Sequence, residues 1–127
     1  MPAKNILIVD DERDICILLG ALLTKRNYNV HFALSLEEAR ARIPETKPGL
    51  IFLDIHLPDG SGLDFVPFIR NNYPEIKIVM MSAYDGEPER EQAKAAGVNE
   101  FVGKPLSQQK VDDVLQRMIR KRSTNNG

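Results

Sequence analysis

Polar side chains able to do chemistry stand at the ends of apolar runs in this 127-residue chain. Ile6-Leu7-Ile8-Val9 leads into Asp10 and Asp11, Leu50-Ile51-Phe52-Leu53 into Asp54, and Ile76-Lys77-Ile78-Val79-Met80-Met81 into Ser82, while Phe101-Val102 is closely followed by Lys104. A short apolar run reads as a strand buried on both faces, and open α/β sheets gather their functional groups where such strands leave the core. Two or three carboxylates at one sheet edge repel one another and raise their own pKa values, and a divalent cation relieves that. Magnesium suits the set, because it takes hard oxygen ligands, keeps several waters and binds through one or two carboxylates plus a phosphate oxygen. A hydroxyl at Ser82 and an ammonium at Lys104 complete a pocket for a phosphoryl group, whose acceptor is then a carboxylate forming an acyl phosphate. No glycine-rich phosphate loop of either nucleotide-binding kind accompanies these residues.

The elements that must position them follow from periodicity. Between the first and second strands, Glu12 to Lys25 places Ile15, Leu18, Leu19, Leu22 and Leu23 on one helical face. Val30 to Ala33 is a short second strand in which His31 is an edge residue without chemistry, and Ser35 caps a helix over Leu36 to Ile43, with Glu38 completing a capping box. Pro44 and Pro48-Gly49 bracket the loop before the third strand. Ser61 starts a helix carrying Leu63, Phe65, Val66 and Ile69, with Pro67 inside it as an expected kink and Pro74 closing the element. Glu87 to Ala96 is a helix with a thin apolar face, stopped by Gly97. Ser107 caps a last helix with Val111, Val114, Leu115, Met118 and Ile119 on one stripe and Arg117, Arg120, Lys121 and Arg122 toward its C-terminal end. Strands alternating with helices imply a five-stranded parallel sheet with helices on both faces, an α/β fold, since each strand-helix-strand step is a right-handed crossover.

The bulk numbers fit one domain that needs no staple. Apolar residues make up 43% and charged residues 28%, with 17 Lys+Arg against 18 Asp+Glu. That balance argues against direct nucleic acid binding. The single cysteine, Cys16, cannot form an internal disulfide and reads as a buried small apolar residue. Met1-Pro2-Ala3-Lys4-Asn5 passes into a strand without the apolar segment of a signal peptide, and no run reaches membrane-spanning length, so the expected compartment is cytoplasmic, with no membrane partner.

Val9-Asp10-Asp11-Glu12, Leu53-Asp54, Met81-Ser82-Ala83 and Lys104-Pro105, in this order and at these distances, together with the loop Leu57-Pro58-Asp59-Gly60-Ser61-Gly62, resemble the receiver domain of bacterial two-component response regulators. The resemblance covers essentially the whole chain. It implies a (βα)5 flavodoxin-like fold with strand order 2-1-3-4-5, with residues 1–122 as the receiver domain and 123–127 as a disordered tail. It also implies that Asp54 is the phosphoacceptor, supplied by a histidine kinase or phosphotransfer protein. Asp11 and Asp54 are then Mg2+ ligands, with Asp10 acting through water and the backbone carbonyl of His56 as a further ligand. Ser82, Ala83 and Lys104 bind the phosphoryl group, Ser82 and Phe101 form the switch, and Pro105 follows a cis peptide bond. The same resemblance implies a phosphorylation-dependent dimer or another downstream partner through the face from Glu87 to Lys110. The chain ends soon after the last helix, so the expectation is a stand-alone relay or a receiver cut from a longer regulator.

Blander readings exist for each residue alone. Asp10 and Asp11 can cap the first helix, Ser82 can be a turn residue, Phe101 a core aromatic and the His56 side chain a surface group. A magnesium-dependent phosphohydrolase of the haloacid dehalogenase type also uses an aspartyl phosphate, but needs a second acid two residues after the nucleophile, where this chain has His56. A non-phosphorylated interaction module would not need the full set of acids, Ser82 and Lys104. Ser82 stands where threonine is common in the family, and Tyr84 is placed to shield the pocket from water.

Overall fold

Five strands lie side by side in the computed structural model of this chain, which describes the backbone of residues 4–126 and the side chains of residues 4–118. In chain order the elements are β1 (Asn5–Val9), α1 (Arg13–Thr24), β2 (Asn29–Ala33), α2 (Leu36–Thr46), β3 (Leu50–Asp54), β4 (His56–Leu57), β5 (Gly60–Ser61), α3 (Gly62–Asn72), β6 (Lys77–Ser82), α4 (Glu87–Ala96), β7 (Glu100–Gly103) and α5 (Gln108–Asn126). The large sheet is wholly parallel in the order β2-β1-β3-β6-β7, while β4 and β5 form a small antiparallel hairpin that the sequence pattern does not announce. With that hairpin set aside, the order is the 2-1-3-4-5 expected.

Alternation along the strands divides the core in two. Leu7, Val9, Ile51, Leu53, Ile78 and Met80 face α2, α3 and α4, and Ile6, Ile8, Phe52, Val79 and Met81 face α1 and α5. The central strand β3 is buried along its whole length because helices cover both of its faces. The registers Val9 with Leu53 and Asp54 with Met81 bring the acidic ends of β1 and β3 and the end of β6 to one edge.

Three local expectations change. The inward stripe of α1 is Cys16, Leu19, Gly20, Leu22 and Leu23, so Leu18 is 42% exposed beside Ile17 at 68%. Gly20 lies on that inward stripe, where an added Cβ would come within 3.1 Å of the Phe32 ring of β2. Helix α2 runs through Pro44 to Thr46: proline keeps a helical φ, and the end is closed by Thr46 Oγ1 donating to Arg42 O at 2.9 Å and Lys47 N–H to Ile43 O at 2.9 Å. Helix α3, Gly62–Asn72, contains Pro67 as expected. Ser35 accepts from the Glu38 N–H as expected, but Glu38 reaches back to the Leu34 N–H and not to that of Ser35.

Helix α4 keeps its predicted limits, ending at Gly97 in the left-handed region at φ 109°, and buries only Ala93. Its C-terminal end is held by Arg70 of α3, which donates to Gly97 O at 2.9 Å, Ile76 O at 2.6 Å and Asn99 Oδ1 at 2.9 Å. Among the described residues no helix is long and apolar enough to cross a membrane. The expected roles of Ile119, Arg120, Lys121 and Arg122, and the expected limit at residue 122 with its tail, fall beyond the described side chains.

Candidate functional site

Asp10 follows β1, Asp54 ends β3, Ser82 ends β6 and Lys104 follows β7, so four parallel strands deliver four side chains to one rim. Asp10 and Ser82 are fully buried and Asp54 is 4% exposed, whereas Asp11 faces solvent. One carboxylate oxygen from each of Asp10, Asp11 and Asp54 lies within 4.8 Å of the others. The donors are all hard oxygens, two from buried groups and one from the open side where waters would remain, and that set fits Mg2+.

Lys104 links the acids. Its ammonium lies 2.9 Å from Asp10 Oδ2, 2.8 Å from Glu12 Oε1 and 3.3 Å from Asp54 Oδ1. Burial alone would lower its pKa, but the hydrogen bonds to Glu12 and Asp10 and the charge of Asp54 outweigh that and raise it, so the ammonium stays charged. Burial, and next the neighbouring charge of Asp10, push the Asp54 carboxyl up to about 6 against the pull of Lys104. Burial also raises Asp10, opposed by the Glu12 N–H, which donates to Asp10 Oδ1 at 2.9 Å, and by Lys104. Three acids, Asp10, Glu12 and Asp54, thus share one cation.

The backbone around Lys104 is tightly specified. Its N–H donates to Ser82 O at 2.8 Å, and the Lys104-Pro105 peptide is cis, as the resemblance implies. Ser82 Oγ accepts from the Tyr84 N–H at 3.0 Å, and Ala83 beside it is exposed. Phe101 is 8% exposed, at the margin of the core, with the Arg90 guanidinium 4.9 Å above its ring. The His56 side chain is exposed and meets Tyr84 edge-on, with ring centroids 5.5 Å apart.

The loop after Asp54 is pinned from two sides. Gly62 passes so close to the Asp54 carbonyl that a Cβ there would collide with it, and its N–H donates to Ile55 O at 2.7 Å. The Asp59 carboxylate accepts the N–H groups of Leu36 and Glu37 at 2.9 and 3.0 Å, so a residue from the hairpin caps α2. Those hydrogen bonds hold the Asp59 carboxyl below the usual range.

Asp10, Asp11, Asp54, Ser82 and Lys104, expected together from their places at strand ends, do meet at one rim. The pairing of Glu12 with Lys104 has no signal in the sequence, where Glu12 only starts the helical pattern of α1. The same holds for Asp59, whose bond to α2 spans two loops with no shared periodicity.

A doubly wound α/β domain with strand order β2-β1-β3-β6-β7 and an acidic cluster at the carboxyl rim is defined by these observations. The chain belongs to the response regulator receiver domain family, which matches residues 6–116. It is 33% identical over 123 residues to the response regulator protein PilR of Pseudomonas aeruginosa, a match covering 97% of this chain and 28% of that protein. The receiver domain of NtrX from Brucella abortus is 32% identical with a TM-score of 0.81, covering 88% of this chain and 95% of that one. The beryllofluoride-activated NtrC4 receiver domain dimer is 30% identical with a TM-score of 0.85, covering 93% and 98%.

Proposed function

We propose that this domain is a phosphorylation-dependent signalling switch: Asp54 accepts a phosphoryl group from a histidine kinase or phosphotransfer protein in a Mg2+-dependent reaction, and the face presented to partners changes. The observation that carries this reading is a buried Asp54 carboxylate within 3.3 Å of Lys104 and inside a cluster of three acids.

In the transfer, an Asp54 carboxylate oxygen attacks phosphorus, the new O–P bond forms as the donor P–N bond breaks, and the leaving imidazole keeps the electron pair and a proton. Asp54, at about 6, is mostly anionic at neutral pH and so is a competent nucleophile. Asp10, Asp11 and Asp54, with the His56 carbonyl, would hold Mg2+, which when bound offsets the charge of the acids and of the phosphoryl oxygens. Lys104 exchanges part of its shared carboxylate contact for a phosphoryl oxygen, and the Ser82 hydroxyl donates to another while still accepting from Tyr84. The Ala83 N–H is a further donor to the group. These contacts exist only with phosphate in place, so they bias a two-state element, in which Ser82 and Phe101 move and α4 follows. The domain assists its own phosphorylation and dephosphorylation and is not an enzyme with a separate substrate.

The cytoplasm is the compartment that suits a phosphohistidine donor. Self-association on phosphorylation is supported by the likeness to the NtrC4 receiver dimer. The test is beryllofluoride with Mg2+, followed by amide NMR: shifts around Ser82, α4 and Phe101 support the reading, and their persistence in Asp54→Asn contradicts it.

A further inference from the structure

Lys110 occupies the first turn of α5, where a cation opposes the helix dipole. Its backbone N–H is used by the cap, donating to Ser107 Oγ at 3.2 Å. Its ammonium folds back over the loop and donates to Gly103 O at 3.0 Å and Pro105 O at 2.9 Å. Those carbonyls belong to the residues on either side of Lys104. The Lys104 N–H is itself held by Ser82 O. Three hydrogen bonds therefore fix the backbone from which the Lys104 side chain departs, and two of them come from one ammonium.

We infer that Lys110 is a positioning residue for Lys104: by gripping the carbonyls of Gly103 and Pro105 it aims the Lys104 ammonium into the acidic cluster. The inference rests on the reading of Asp54 as phosphoacceptor for its consequence, but not for its geometry. Lys104 has a long flexible stem and must reach Asp10 and Asp54 together, so a small rotation of its peptide moves the ammonium by more than a hydrogen bond tolerates. Loss of the Lys110 ammonium frees the Gly103 and Pro105 carbonyls to turn toward water. Lys104 then spends less time beside Asp54, and the phosphoryl group meets a poorly placed cation.

The test uses Lys110→Met, which keeps the stem and removes the charge, with Lys110→Arg as the conservative variant. Amine labelling of the whole protein, read peptide by peptide, reports how well Lys104 is sheltered in its cluster. Labelling of Lys104 is expected to rise severalfold in Lys110→Met at unchanged melting temperature, and to return toward wild type in Lys110→Arg. Phosphorylation by acetyl phosphate is expected to slow about tenfold in Lys110→Met with the Mg2+ half-saturation unchanged, and to show no further loss when the change is made in Lys104→Ala. Unchanged labelling of Lys104 overturns the inference, as does an equal loss of rate in both backgrounds that tracks a lower melting temperature. A wild-type protein that takes no phosphoryl group overturns the reading of Asp54, while the labelling result still decides the role of Lys110.

Discussion

The Lys104 ammonium stands 3.3 Å from Asp54 Oδ1 and closer, at 2.8 Å, to Glu12 Oε1. The Lys104 ammonium is thus shared between the proposed phosphoacceptor and the N-cap residue of α1. Glu12 has a 59% exposed side chain, so its pair with Lys104 is worth no more than about 1 kcal/mol. Glu12→Gln is expected to leave the melting temperature within a degree or two, roughly. It should speed phosphorylation by acetyl phosphate by about two- to fivefold, because Lys104 is released toward the incoming group. Rate constants from intact-mass time courses check this.

Asp54 makes the metal-free protein pH-sensitive. Its carboxyl is raised from 3.8 to about 6, so the folded state binds that proton more tightly than the unfolded chain does. The associated stability is fully present below pH 3.8 and is lost as pH rises through 6. Asp54→Asn, neutral throughout, is expected to be more stable than wild type at pH 7.5 by on the order of 1–3 kcal/mol without divalent cation, with the difference closing in acid. Urea titrations at both pH values, with and without Mg2+, measure it. Mg2+ is expected to raise the wild-type midpoint and not that of Asp54→Asn.

Tyr84 is 62% exposed and lies edge-on to His56, two residues beyond the proposed phosphoacceptor Asp54. A ring in that place restricts the approach of water to an acyl phosphate. Tyr84→Ala is expected to shorten the phosphoryl lifetime by about two- to tenfold. The decay of phosphorylated protein after removal of acetyl phosphate measures this, and an unchanged rate would count against a shielding role.

Helix α4 buries only Ala93, whereas α1 buries Cys16, Leu19, Gly20, Leu22 and Leu23. Weakly packed segments open most easily, and an element of a switch comes from that class. Backbone amides in the middle of α4 are expected to exchange at least about tenfold faster than those of Leu19 to Leu23. Comparable protection of the two helices would remove α4 as the moving part.

The rim residues are legible because β1, β3 and β6 are nearly continuous apolar runs, each leading into the polar group it delivers, whereas the strand order is legible only through the family resemblance. Helix faces are less so. Leu18 satisfies an apolar stripe as well as Cys16 does, and the contact of Gly20 with Phe32, on the side that is buried, has no local signal in the sequence. Pro44 reads as a stop because its missing donor is visible in the sequence, while the Thr46 and Lys47 bonds that carry α2 past it are not. Asp59 on α2 and Arg70 on Gly97, Ile76 and Asn99 join elements through side chains whose partners no local pattern specifies.

On the proposed reading, Asp54 takes a phosphoryl group with the help of a metal held by its acidic neighbours. Intact-mass measurement of the protein incubated with acetyl phosphate and Mg2+ tests it most directly. One phosphoryl adduct is expected in the wild type, lost on decay, not formed when Mg2+ is chelated before acetyl phosphate is added, and absent from Asp54→Asn. No adduct in the wild type, or an equal adduct in Asp54→Asn, would contradict the assignment.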